Sequence, residues 1–161
     1  MRLARWLRHA VASEWRVRSA FPRRTREAIE QAIERVARSH RGRIRFALET
    51  ALSAPGLRRR LAARGRALEI FSALRVWDTE RNNGVLIYVL WAERRVEIVA
   101  DRGFGGRVRT AEWQAVCSLL ERHYGEGRYR EGSVAGVEAA GALLTRHFPR
   151  TAADADESAL P

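Results

Sequence analysis

Asp78, Glu80, Asn82 and Asn83 crowd one short polar stretch, and Asp101 and Arg102 follow a second apolar run. These residue types can do chemistry if the chain brings them together. Carboxylate and amide oxygens suit a hard cation such as calcium, so Asp78, Glu80, Asn82 and Asp101 are candidate metal ligands. An aspartate can also serve as a nucleophile toward phosphorus while a guanidinium stabilises the developing charge, so Asp78, Asp101 and Arg102 are the catalytic candidates. Arg102 and Arg109 could hold a phosphate, with Gly103, Gly105 and Gly106 letting backbone amides approach it. The same residues have a plainer reading. Asp and Asn favour turns because their side chains bond nearby backbone, Gly permits positive φ, and Arg81 and Arg102 would repel a cation.

Other chemistry finds less support. Gly103-Phe104-Gly105-Gly106 lacks the spacing and strand context of a dinucleotide fingerprint, and no serine sits in a nucleophile elbow. His9, His40, His123 and His147 show no metal spacing; His147 suits a helix C-terminus. Cys117 shares an apolar helix stripe with Val116 and Leu120, which reads as a buried small hydrophobe. Trp77 and Trp91, at opposite ends of one apolar run, read as buried aromatic area.

The elements that must position these residues follow from periodicity. Residues 3–17 fit an amphipathic helix with Leu7 on its apolar side and Trp6 and Trp15 near the border. Pro22 interrupts it. Thr25 caps a second helix with Ile29, Ala32, Ile33 and Val36 on one face. Residues 43–49 alternate as a strand. Pro55-Gly56 marks a turn, and a helix over about 57–75 places Leu57, Leu61, Leu68, Phe71 and Leu74 on one side. Residues 85–91 form a continuous apolar run of strand length, as expected for a central strand covered on both faces. Ala92-Glu93-Arg94 turns into a partner strand, 95–100. Thr110 caps a helix 111–124 with Trp113, Val116, Cys117 and Leu120 inward and Gly125 at C′. A last helix runs over about 130–147. A strand–helix–strand crossover makes the first pair parallel, and the hairpin adds an antiparallel strand. The expectation is an α/β fold: an αβα sandwich with a small mixed sheet. In the hairpin, the start of the first strand and the end of the second share one sheet end, which brings loop 78–83 beside loop 101–106.

A length of 161 residues fits one domain. Hydrophobic residues make up 46% and charged residues 30%, too apolar for wholesale disorder. No stretch reaches the ~20 apolar residues of a membrane span, and arginines break every candidate leader segment. One cysteine agrees with a reducing compartment, so a cytoplasmic or peripheral membrane location is expected. All 30 basic residues are arginine. Residues 1–70 hold 18 of them against 6 acids, and the remainder holds 12 against 13. Arg58, Arg59, Arg60, Arg64 and Arg66 crowd one helix. The basic N-terminal part therefore invites an anionic partner.

Asn82-Asn83-Gly84-Val85-Leu86-Ile87-Tyr88, the hairpin ending Val96-Glu97-Ile98-Val99-Ala100-Asp101-Arg102-Gly103, and Trp113 one turn into the following helix resemble the TPM domain. The resemblance covers about residues 25–150, with Gly42-Arg43-Ile44-Arg45-Phe46-Ala47 as the first strand. It lies closest to the short bacterial branch without signal peptide or membrane anchor. Residues 1–24 would then be a basic helix and 151–161 a flexible tail. The resemblance implies an αβα sandwich in a family often labelled phosphatase, in which some members bind calcium and several assist assembly or repair beside membrane complexes.

Three functions follow as expectations. The first is a non-catalytic accessory or interaction domain with a protein partner, requiring no cofactor, because no acid–base pair assembles from the sequence. The second is a weak metal-assisted phosphatase. The third is peripheral binding through residues 1–24 and 58–66 to an anionic membrane surface or nucleic acid, with nucleic acid the less favoured partner. Packing of the N-terminal helix on the domain competes with the third.

Overall fold

A computed structural model describes residues 4, 7–9, 14–53 and 62–151. Expectations on Leu57, Leu61, Arg58 to Arg60, most of residues 1–13 and the tail beyond 151 lie outside them. The order is α1 (Glu14–Ala20), α2 (Arg23–Ala37), β1 (Arg43–Glu49), α3 (Ala63–Ala73), β2 (Gly84–Leu90), β3 (Arg95–Ala100), α4 (Thr110–Gly125) and α5 (Tyr129–His147). The sheet order is β1-β2-β3. β1 runs parallel to β2, with Arg43 opposite Gly84 and Glu49 opposite Leu90. β2 and β3 are antiparallel, with Val85 opposite Ala100. This is the expected α/β sandwich with a mixed sheet.

The continuous apolar run of β2 is buried along its whole length because both faces are covered. Val85, Ile87 and Val89 meet Val17 of α1, Phe21 just after it, Ile29 and Ala32 of α2, and the apolar faces of α4 and α5. Leu86, Tyr88 and Leu90 meet α3 through Ala63 and Ala67. Alternate side chains of one strand thus fill two separate cores, and each fully buried Leu or Ile contributes about 1.5–3 kcal/mol.

Several local readings need correction. Leu68 and Leu74 stand 49% and 48% exposed. α3 instead presents Ala63 and Ala67, whose small side chains let the helix lie close over Leu86 and Tyr88. Trp77 is 45% exposed, with the Arg75 guanidinium over its ring at 5.6 Å. Trp91 is half-buried, packed among Phe21 and Tyr129. Thr25 is not a cap. Pro22 takes the N-cap position in extended conformation, and its carbonyl accepts from Thr25 and Arg26, so the fixed φ of proline sets the helix start. Arg109 rather than Thr110 caps α4, where the Glu112 carboxylate accepts from the Arg109 amide at 2.9 Å. The positive φ after α4 belongs to Gly127, not Gly125.

Among the described residues, His9 and α1 pack on the domain. His9 is buried. Its Nδ1 accepts from the Leu52 amide at 3.0 Å, so Nε2 carries the proton it donates to Glu93 at 3.0 Å. Val17 and Phe21 belong to the main core.

Candidate functional site

The register brings the two polar connections to one end of the sheet. The Asp101 amide donates to the Gly84 carbonyl at 2.9 Å, and the Gly103 amide donates to the Asn82 carbonyl at 2.8 Å. Asn82 adopts a left-handed conformation with φ 51°, which asparagine tolerates better than most residues. Gly103 is needed for contact rather than for freedom: a Cβ there would lie 2.4 Å from the Asn82 carbonyl oxygen. Loops 78–83 and 101–106 therefore touch.

Their side chains are largely committed to the loops themselves. Asp78 pairs with Arg75 at 3.0 Å. One Asp101 oxygen accepts from the Arg102 amide at 2.7 Å and starts a short 3-10 turn over Arg102–Phe104. The other Asp101 oxygen is buried and has no partner among the described residues. Glu80 is exposed. Asp78, Glu80 and Asp101 do not gather: among the described residues no three His, Cys, Asp or Glu side chains form a group able to hold a metal ion. The amides of Gly103 and Gly105 donate to the carbonyls of Asn82 and Arg102, so they are turned inward rather than toward an anion. Arg109 lies beside Glu112. Arg102 is exposed, with no acid partner among the described residues.

Cys117 is half-buried, and burial pushes its thiol up to about 11. Less than a hundredth of it is thiolate at neutral pH, which removes it as a nucleophile.

Asn83, singled out in the sequence as a loop residue, and His40, singled out only as one of the scattered histidines, are both buried near this rim, which the sequence did not foretell. Asn83 is 1% exposed, and neither side-chain polar atom has a partner among the described residues. His40, also 1% exposed, precedes β1 and bridges to Pro149; its ring nitrogens are likewise unpartnered. A lone histidine in a loop gives no burial signal in sequence. Burial lowers the His40 pKa below its ordinary 6.5; the nearby Gly42 backbone, too poorly placed to make a full hydrogen bond, opposes this, and the Arg150 charge adds to the lowering. The unfolded chain therefore binds more protons than the native one as pH falls below that value, and stability declines. A single group contributes a slope of at most about 1.4 kcal/mol per pH unit. Urea unfolding between about pH 7.5 and 5 will show this loss in the parent protein, and His40→Leu will remove that component of the slope.

The opposite end of the sheet carries a second concavity, about 630 Å³, between α1, the β2–β3 turn and the start of α5. Trp15 and Trp91 line it together with Arg16, Arg24, Arg94 and Arg130. These arginines come from distant parts of the chain, so spacing gave no hint of the cleft.

A three-layer sandwich in which a parallel crossover is followed by an antiparallel hairpin, its two polar connections joined at one rim, defines a small class of α/β domains. Residues 18–143 match the TPM domain, and the chain belongs to that family. The BA42 protein of the psychrophilic bacterium Bizionia argentinensis, solved by NMR, is 28% identical and superposes with a TM-score of 0.71, over 81% of this chain and 86% of that one. Two N-terminal domains share the fold at lower identity. One, from P. gingivalis, is 18% identical with a TM-score of 0.63, over 80% of this chain and 81% of its own. The other, of the cg2496 protein of Corynebacterium glutamicum, is 15% identical with a TM-score of 0.54, over 76% and 72%. No curated protein matches the chain. Among the described residues no helix is long and apolar enough to cross a membrane.

Proposed function

We propose that this chain is a non-catalytic interaction domain of the TPM type that receives a protein partner at the rim, in the cytoplasm. The observation that carries this reading is the engagement of the rim carboxylates. Asp78 is held by Arg75, and Asp101 caps a turn. Neither is paired with a second acid in the arrangement that acid–base or metal-assisted chemistry needs. Beside them Leu74 and Trp77 stand exposed, with the Arg75 guanidinium over the Trp77 ring and paired with Asp78. An exposed apolar pair within a polar loop of mixed charge fits a partner carrying an apolar anchor and a polar rim.

The buried free oxygen of Asp101 favours one alternative, a weak metal-assisted phosphatase with Arg102 stabilising phosphoryl charge. The residues do not fit a protein-held calcium ion, since among the described residues no three acidic side chains gather there and Arg102 adjoins Asp101. Phosphomonoester turnover by highly purified protein, with and without calcium, decides between the two. Equal traces of activity in the parent, Asp78→Ala and Asp101→Ala are expected. A rate that collapses only in Asp101→Ala would establish the phosphatase. Photo-crosslinking in cells from position 77 should give a discrete adduct that Leu74→Asp abolishes, and its absence counts against the interaction reading.

A further inference from the structure

The cleft at the β2–β3 turn lies seven residues of strand from the rim, about 20 Å away at ~3.3 Å per residue. It adjoins a second concavity lined by Leu7, Arg8 and Glu93, and the two share Arg16, Trp91 and Arg94. Together they form one elongated track with Arg8, Arg16, Arg24, Arg94 and Arg130 along it. All five side chains are exposed, and none has an acid partner among the described residues. The acids facing the track are Glu131, Glu93 and Glu121; Glu93 is bonded to His9 and Glu121 accepts from the Val96 amide. Trp15, 73% exposed, stands at the edge, and Trp91 forms the floor between the arginines. Thr25, 3% exposed, contributes to the wall.

We propose that this track binds single-stranded nucleic acid. Its phosphates would pair with the guanidinium groups, which match phosphate geometry and remain charged at every physiological pH. A base would stack on Trp15. Interleaved cations and aromatic faces along an open groove are what a flexible polyanion with π-faces requires. A bilayer fits less well. It is planar and does not follow two joined concavities, and Val17 of α1 and Phe21 just after it, the apolar anchors of this segment, are already used in the core.

Fluorescence anisotropy of the full chain with a labelled oligothymidylate of about 15 nucleotides tests the proposal. Arg16→Gln with Arg94→Gln should weaken binding about tenfold or more and flatten the slope of log K against log salt by about 1.4, two phosphate contacts at ~0.7 each. Trp15→Ala should weaken it about fivefold or more. These side chains are exposed, so melting temperatures will stay unchanged. Asp101→Ala, at the other end of the sheet, should bind as the parent does, which keeps this test separate from the rim. Equal affinity in parent and double variant overturns the proposal. So does co-sedimentation with phosphatidylglycerol vesicles that needs Arg16 and Arg94 while the oligonucleotide fails to bind.

Discussion

Replacing Gly84 with alanine will destabilise the protein by about 3 kcal/mol or more. A Cβ at this position would sit 1.9 Å from the Val76 carbonyl oxygen and 2.8 Å from its carbon. The obstacle is backbone, so no rotamer change can relieve it. Val76 is fully buried and its amide is bonded to the Phe71 carbonyl, while Gly84 accepts from the Asp101 amide and opens the fully buried β2. Neither side can yield without loosening the rim. Gly103→Ala meets the same kind of obstacle against Asn82 and Arg81. Gly125→Ala is the contrast. It lies in the last turn of α4 with nothing within 4 Å of the added carbon, and it should stabilise by about 0.5–1 kcal/mol through helix propensity. Urea midpoints of the purified variants check all three. A Gly84→Ala protein unfolding at the parent midpoint would mean that loop 76–83 does not press on β2 as described.

The strands were legible because their signals are local. Alternation of Ile44, Phe46 and Leu48 placed β1, and the apolar run and Ala92-Glu93-Arg94 turn placed the hairpin. Antiparallel pairing alone was enough to put the two polar loops side by side. What the side chains do within those loops was less accessible. Asp78 turns to an arginine three residues earlier, and Asp101 to the amide that follows it, contacts that turn chemistry offers as readily as a ligand does. The buried face of α3 escaped because alanine weighs little in a hydrophobic pattern, whereas Leu68 and Leu74 weigh much. Close approach favours the small residue, and only the tertiary structure reveals close approach. Gly103 was read as an amide donor for an anion, yet its place is fixed by two carbonyls of the neighbouring loop. The basic track assembles residues from 8 to 130, so composition announced its charge but not its shape.

Glu49→Ala should cost about 2–3 kcal/mol and loosen the crossover helix that leads into Trp77 and Asp78. Glu49 ends β1 and accepts from the Tyr88 hydroxyl at 2.5 Å and from Arg66 at 2.9 Å on each oxygen. Arg66 also reaches Glu69 at 2.8 Å. One carboxylate thus ties β1, β2 and α3 together. Tyr88 is completely buried, and burial, then its bond to Glu49, raises the phenol well above its ordinary range, so the hydroxyl is a donor at any attainable pH. Without Glu49 that donor loses its acceptor at the edge of the core, where the carboxylate is only 24% exposed, and much of the desolvation cost is left uncompensated. Arg66 suffers less, because its side chain is 31% exposed and retains Glu69. Tyr88→Phe removes the donor while Arg66 still holds the carboxylate, and should cost only about 1 kcal/mol. The double variant should then be little worse than Glu49→Ala alone, since the stranded hydroxyl is gone. Urea unfolding of the four proteins completes the cycle, and strict additivity would show that the tyrosine and the glutamate do not act on one another.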